Sequence, residues 1–176
     1  MYLRALPLAR TRTQFYYGHA GAYFPETMYF WGTYNNDNYG WDRKGKPDGR
    51  TDNMYIRHYW SGSLELAALM LDCYAITRDP KFARGVLLPF AADVLTFYDE
   101  HYKRGEDGKL HIAPAQSLET WQKATNPTPV IAGLRHVIGR LLAELPQDVT
   151  SSRQREEWIR LRRQLPAQGA GEHHHA

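Results

Sequence analysis

Cysteine is almost absent from this 176-residue sequence, and long apolar runs are missing as well. The single cysteine, Cys73, excludes an internal disulfide, and its place in an apolar stretch predicts a buried, inert thiol. No apolar segment is long enough to span a bilayer, and the first residues lack a signal-peptide core. We therefore expect no membrane as a partner.

The sequence also has little excess of charge of either sign, because the net charge is only +3. The densest basic cluster falls on one late predicted helix that also carries Glu156 and Glu157, which favours a solvated helix face over a nucleic-acid interface. Its members are Arg153, Arg155, Arg160, Arg162 and Arg163.

Motifs for several kinds of chemistry are missing too. The sequence has no phosphate-binding loop, zinc-ligand spacing or Ser-His-Asp pattern, and residues 36–40 lack the spacing of a calcium-binding EF-hand. We expect no cofactor and no metal.

Apolar residues at helical spacing predict an all-α chain. The first helix is predicted over residues 3–17, broken near Pro7. The second starts at Ser61 or Ser63, runs to about Arg78 and is apolar nearly all round, which predicts burial on several sides.

The second half of the chain predicts further helices. Asp79 and Pro80 begin a short helix that ends at about Leu87, and Pro89 begins a separate one to residue 102. The clearest pattern covers residues 130–145, and Ser151 with Gln154 predicts a capping box for a last helix. Residues 1–166 form one unit in this interpretation, and residues 167–176 are predicted to be a disordered tail.

Aromatic residues are abundant, and most of them lie among asparagine, aspartate and glycine in residues 15–60. Aromatic rings stack on the C–H faces of sugars, while amides and carboxylates bond to hydroxyl groups, so this mixture suits a carbohydrate partner. Packing of the same rings into the protein centre explains the composition equally well. The tryptophans predicted to contact a sugar are Trp31, Trp41, Trp60 and Trp121.

Residues 109–126 form a long connection between two predicted helices, and such loops are more often functional than ornamental. Glu119 lies in its middle, two residues before Trp121. A proton donor at the leaving oxygen is what glycoside cleavage requires, and a neighbouring indole would raise the pKa of such a carboxyl. Glu119 is therefore the predicted catalytic acid, with an ordinary surface glutamate as the alternative.

Three segments in order resemble a known family: GAYFPETMYFWG (residues 21–32), YWSGSLELAALMLDCYAITRDPKF (59–82) and GKLHIAPAQSLETW (108–121). They are similar to the catalytic domain of α-L-fucosidases of glycoside hydrolase family 95, and closest to an uncharacterised bacterial branch. The resemblance implies an (α/α)6 toroid of the six-hairpin type and hydrolysis with inversion. It also implies a secreted or periplasmic parent protein.

The resemblance carries over to individual positions. Ser117-Leu118-Glu119-Thr120 matches Ser-Pro-Glu-Asn of the family, in which the glutamate is the general acid; the departures at 118 and 120 put fucose specificity in doubt. Glu26 stands where the family tends to carry a histidine near the substrate. Trp31 matches a family tryptophan, and Asn126 falls near an aspartate that faces the pocket.

The family's water-activating asparagine pair and a supporting aspartate fall outside these 176 residues. The chain then resembles an internal fragment whose partners are the missing flanking segments of the same toroid, and which is inactive alone. Two other interpretations stay open, namely a non-catalytic carbohydrate-binding protein and a lyase or phosphorylase on the same scaffold.

Overall fold

The computed structural model describes residues 2–118 and 120–167, and it is all-α within these ranges. The helices are α1 (Tyr2–Tyr17), α2 (Asn36–Tyr39), α3 (Gly62–Thr77), α4 (Pro80–Phe82), α5 (Leu88–His101), α6 (Thr128–Glu144) and α7 (Ser152–Gln164). No strand occurs in the described ranges, where pairing is limited to isolated bridges. Apart from Ala167, the predicted tail lies outside the described residues.

Helix α1 continues through Pro7, so the predicted break there is wrong. A proline inside a helix costs about 3 kcal/mol, and here tertiary contacts outweigh this cost. Leu6 and Ala9 are buried on the same helix. Arg12 is buried as well and donates to the carbonyl oxygens of Tyr23 (2.8 Å) and Gly32 (2.7 Å).

Helix α3 buries only one side, which corrects the prediction of burial on several sides. Leu64, Leu71 and Tyr74 are buried, and the helix packs on α6. The opposite side exposes Leu69 by 62% and Ile76 by 84%. Cys73 lies between them on this exposed side, so the prediction of a buried thiol is wrong. Side chains at positions 69, 73 and 76 share one helical face, and they turn away from the core together.

The segment after α3 begins as predicted and then differs. The Asp79 carboxylate accepts the N–H of Lys81 at 2.8 Å, with Pro80 in the first helical turn. Instead of ending near Leu87, the helix continues through a π-helical turn (Ala83–Leu87) into α5. Such a turn widens the helix by one residue, which gives the ring of Pro89 room that an α-helix would deny it.

The two C-terminal helices agree with the sequence pattern. Helix α6 buries Val130, Leu134 and Leu141 along one face, and it ends one residue before Leu145. The Ser151 side chain accepts from the N–H of Gln154, and the Gln154 side chain accepts from the N–H of Ser151, which is the predicted capping box.

Large aromatic and aliphatic residues fill the centre between α1, α3, α5 and α6. Tyr23, which precedes the irregular region 25–60, is fully buried beside Phe97 of α5. The backbone of residues 21–22 lies close against α5, since Ala22 N–H donates to the Asp93 carbonyl at 3.0 Å. Segments without helix are thus attached to the helices by buried rings and backbone hydrogen bonds.

Candidate functional site

The connection 109–126 is bonded to α7 near its start and closed on itself at its base. Near its start, Leu110 N–H donates to the Gln164 carbonyl at 2.7 Å. Further along, Ile112 N–H donates to the Asn126 side-chain oxygen at 2.8 Å, and Asn126 N–H returns a bond to the Ile112 carbonyl at 2.9 Å. Asn126 has a positive φ of 50°, which asparagine tolerates better than most residues. Its side-chain oxygen therefore closes the base of the loop.

Within this base the chain forms a small hairpin. Ala115 and Ala124 exchange two backbone hydrogen bonds of 2.7 and 3.1 Å. Beyond them, Trp121 N–H donates to the Leu118 carbonyl at 3.0 Å, and Ser117 N–H donates to the Trp121 carbonyl at 3.3 Å. Leu118 is 55% exposed and Trp121 is 44% exposed, so the tip presents apolar surface to solvent. Glu119, the predicted acid, lies outside the described residues.

Gln116 connects the hairpin to the region 51–60. The residue is only 1% exposed. Its side-chain oxygen accepts the N–H of His58, and its side-chain nitrogen donates to the Tyr55 carbonyl at 2.7 Å. A buried amide that satisfies two backbone groups holds both segments in one arrangement, because separating them would leave polar groups unpaired.

Trp60, two residues after His58, is the centre of an aromatic cluster. Its ring is within 4.7 Å of the His101 ring and 5.0 Å of the Phe97 ring, measured between centroids, and 5.9 Å from the His58 ring. The residue is 5% exposed. Trp60 was predicted to contact a sugar; in the structure its buried ring packs against the rings of His58 and His101.

His19 and His101 are joined by a hydrogen bond of 3.0 Å between Nε2 of the first and Nδ1 of the second. His19 follows α1 and His101 ends α5, so the pair links two helix ends. Burial, together with the nearby His19 and His58, lowers the pKa of His101 to about 3. The neutral His101 ring has one donor and one acceptor nitrogen, so its tautomer decides which side of this bond it supplies.

His58 is also uncharged at neutral pH. Burial lowers its pKa to about 4, and the positive charges of Arg57, Arg50 and Lys123 act in the same direction. The site thus contains partly exposed neutral imidazoles beside tyrosine and tryptophan rings. Groups of this kind can exchange hydrogen bonds with sugar hydroxyls. Protonation of His58 or His101 is unfavourable near neutral pH, because burial disfavours the charged imidazolium.

The remaining predicted site residues lie in the irregular region before α3. Trp31 stacks on Tyr29 with 4.7 Å between ring centroids, and it is 52% exposed. Trp41 is 76% exposed, and its indole N–H donates to an Asp37 carboxylate oxygen at 3.2 Å. Glu26 is exposed as well. This segment folds against α1, because Gly32 lies beside Ala5.

The described contacts therefore bring some predicted residues together and leave others apart. Trp121 and Asn126 share the connection 109–126, which Gln116 joins to the segment that contains Trp60. Trp31 and Trp41 lie in the segment before α3, where Trp31 contacts Tyr29 and Trp41 contacts Asp37, and no described contact joins them to the connection 109–126.

Sequence reasoning missed four residues that organise the site: His19, His58, His101 and Gln116. Only His101 carried a signal, because it lies four residues after Phe97 on the inner face of α5. The hydrogen bonds of the other three span 58 to 82 positions along the chain, and no local pattern encodes such pairs.

Among residues 2–118 and 120–167, no three histidine, cysteine, aspartate or glutamate side chains are grouped closely enough to hold a metal ion. In the segment 36–40, the Asn38 side-chain oxygen accepts from Asn53 at 2.6 Å, and an Asp37 oxygen accepts from Trp41.

No helix in the described part of the chain is long and apolar enough to cross a membrane.

Comparison of the sequence with models of known protein families finds no match, and none of the curated proteins compared with it is significantly similar.

Proposed function

We propose that this chain is part of a glycoside hydrolase with an (α/α)6 toroid, in which Glu119 protonates the leaving oxygen and the reaction proceeds with inversion. The observation that carries this proposal is the fastening of the connection 109–126. Its base is closed by Asn126 and its side is bound by buried Gln116, while Leu118 and Trp121 at its tip face outward. A general acid needs a fixed loop of this kind.

The chemistry follows from the neighbours of position 119 in the chain. An inverting glycosidase needs one carboxyl group that is protonated at working pH and, on the opposite face of the sugar, an activated water. Trp121, partly exposed two residues further on, supplies an apolar surface that favours the protonated carboxyl. The water-activating residues are proposed to come from flanking segments of the toroid, so this chain alone is expected to bind sugar without turnover.

A second candidate function is carbohydrate binding without catalysis. The observation that favours it is the aromatic surface before α3, where the exposed Trp31 ring stacks on Tyr29 and has Phe30 at its edge, 4.7 Å away between centroids. Phe30 and Trp41 are also largely exposed. Exposed rings of this kind offer faces on which sugars stack.

The first experiment measures hydrolysis of nitrophenyl and alkyl glycosides by a longer polypeptide that includes the flanking segments. Glu119→Gln should lower the rate of hydrolysis of alkyl glycosides about a hundredfold to ten-thousandfold, because these leaving groups depend on protonation. The same variant should retain much of its activity on nitrophenyl glycosides. Glu106→Gln is the matched control, since Glu106 is an exposed glutamate on the turn before the loop.

The outcomes separate the two candidates. Equal loss of rate on both kinds of leaving group, or no loss on alkyl glycosides, would show that Glu119 is not the acid. Saturable oligosaccharide binding that Trp31→Ala weakens, in a protein that hydrolyses none of the glycosides, would establish the binding function instead.

A further inference from the structure

A cavity of about 530 Å³ lies between α6, α7 and the start of the connection 109–126, and its polar lining is cationic. Seven residues line it: Lys109, Arg135, Leu142, Ile159, Arg162, Arg163 and Leu165. Only Lys109, the first residue of the connection 109–126, is shared with the candidate site described above. Its volume falls within the range of small-molecule sites, which is about 300–1,000 Å³.

The other arginines of α7 are already engaged. Arg160 binds the Asp99 carboxylate at 2.5 Å, and Arg153 binds Glu157 at 2.8 Å. Arg155 donates to the backbone carbonyl of Leu142 at 2.6 Å. The basic cluster that the sequence predicts as one solvated face therefore divides into residues with structural bonds and residues that line the cavity.

The cations of the cavity have no carboxylate partner among residues 2–118 and 120–167. The Lys109 ammonium donates to the Arg163 carbonyl at 2.6 Å, and Arg135 donates to the Pro166 carbonyl at 2.9 Å. These bonds fix the side chains but leave their charges uncompensated. Nε of Arg135 is buried without a hydrogen-bond partner in the described structure, which is an expensive arrangement for a guanidinium N–H.

Arg162 extends over α6 at a glycine. The guanidinium nitrogen Nη2 lies 3.9 Å from the place where a Cβ on Gly139 would be. The small residue thus leaves the guanidinium close to the α6 backbone, on the same side as Arg135. Guanidinium groups from two helices and one ammonium group therefore line the same cavity, and donors of these kinds bind the oxygens of tetrahedral anions.

We propose that this cavity binds the phosphate or sulfate group of a small organic molecule. Lys109, Arg135, Arg162 and Arg163 provide the charge, and the apolar remainder of the ligand contacts Leu142, Ile159 and Leu165. A concave site of mixed charge and apolar surface selects a small molecule, whereas a nucleic acid requires a long basic surface.

The test is calorimetric titration of the 176-residue protein with inorganic phosphate and, separately, inorganic sulfate at low salt. Saturable binding of one equivalent is expected for at least one anion, weakened as sodium chloride is added. Arg162→Gln should weaken this binding by about tenfold, because a charge-assisted hydrogen bond is lost. The anion that binds more tightly then shows which of the two groups the cavity prefers.

The matched control is Arg153→Gln, which removes the same charge from the same helix outside the cavity, at a side chain that is 88% exposed. It should leave the affinity within a factor of two of the unaltered protein. Equal weakening by both variants would show that only the general field attracts the anion, and the proposal would fail. Absence of saturable binding, or displacement of the anion by duplex DNA with a steep salt dependence, would also overturn it.

Discussion

Replacement of Gln116 by alanine is the most direct test of how the candidate site is held together. The residue is nearly inaccessible to solvent; its side-chain amide accepts from the backbone N–H of His58 and donates to the backbone carbonyl of Tyr55. Gln116→Ala removes both bonds at once and introduces no replacement partner. The regions 51–60 and 109–126 would then lose the two hydrogen bonds that Gln116 makes between them.

The size of the effect follows from the two backbone groups left unpaired. A buried donor or acceptor without a partner costs about 1–3 kcal/mol, and partial entry of water into the space left by the side chain reduces the sum. We expect a loss of about 3 kcal/mol in the free energy of unfolding. For a chain of this length, 1 kcal/mol corresponds to about 2–4 °C, so Tm should fall by about 6–12 °C.

Thermal unfolding followed by circular dichroism gives Tm, and hydrogen exchange gives the location of the change. Exchange should accelerate at residues 55–60 and 112–118, while α6 and α7 keep their protection. The matched control is Gln122→Ala, since Gln122 is a partly buried glutamine of the same connection. Equal Tm values for the two variants, or faster exchange spread evenly over the helices, would refute the linking role of Gln116.

Two further predictions concern acid and glycine. The pKa of His58 is lowered in the folded state, and the pKa of His101 even more, so the unfolded chain binds more protons below about pH 6.5. The free energy of unfolding should therefore fall as pH decreases from about 6.5 to 4, which urea midpoints at a series of pH values would measure. His58→Gln should make the midpoint depend less on pH. An unchanged pH dependence in this variant would contradict the assignment to His58. Gly21 has a φ of +91°, and a Cβ added there would lie 2.3 Å from the Phe97 backbone nitrogen. Gly21→Ala should therefore lower Tm far more than Gly18→Ala, because a Cβ added at Gly18 meets open space. Similar Tm values for the two variants would contradict this prediction.

Helices with local signals were predictable from sequence. The periodic apolar residues of α6 and the Ser151 capping box each depend on residues within a few positions of one another, and both occur as expected. The Asp79 cap follows the same rule. Pro7 and Pro89 did not end their helices, because burial of the surrounding faces and a π-helical turn offset a local preference that the sequence shows clearly.

The candidate site was less predictable, since its contacts join distant residues. Trp60 was predicted to contact a sugar, and that stays a prediction; nothing in its local sequence shows that its ring packs against the ring of the distant His101. The assignment of Glu119 depends on resemblance rather than on spacing, and it stays a prediction. Burial of a tryptophan is decided by the whole core, whereas a cap is decided within one turn.

The exposed side of α3 has a consequence for handling the protein. Because Cys73 is the single thiol of the chain and is exposed, oxidation in air can join two molecules only through this helix. The disulfide would place Leu69 and Ile76 of one molecule beside the same residues of the other. We therefore expect oxidation of this one thiol to promote association through an apolar surface, and a reducing agent to oppose it.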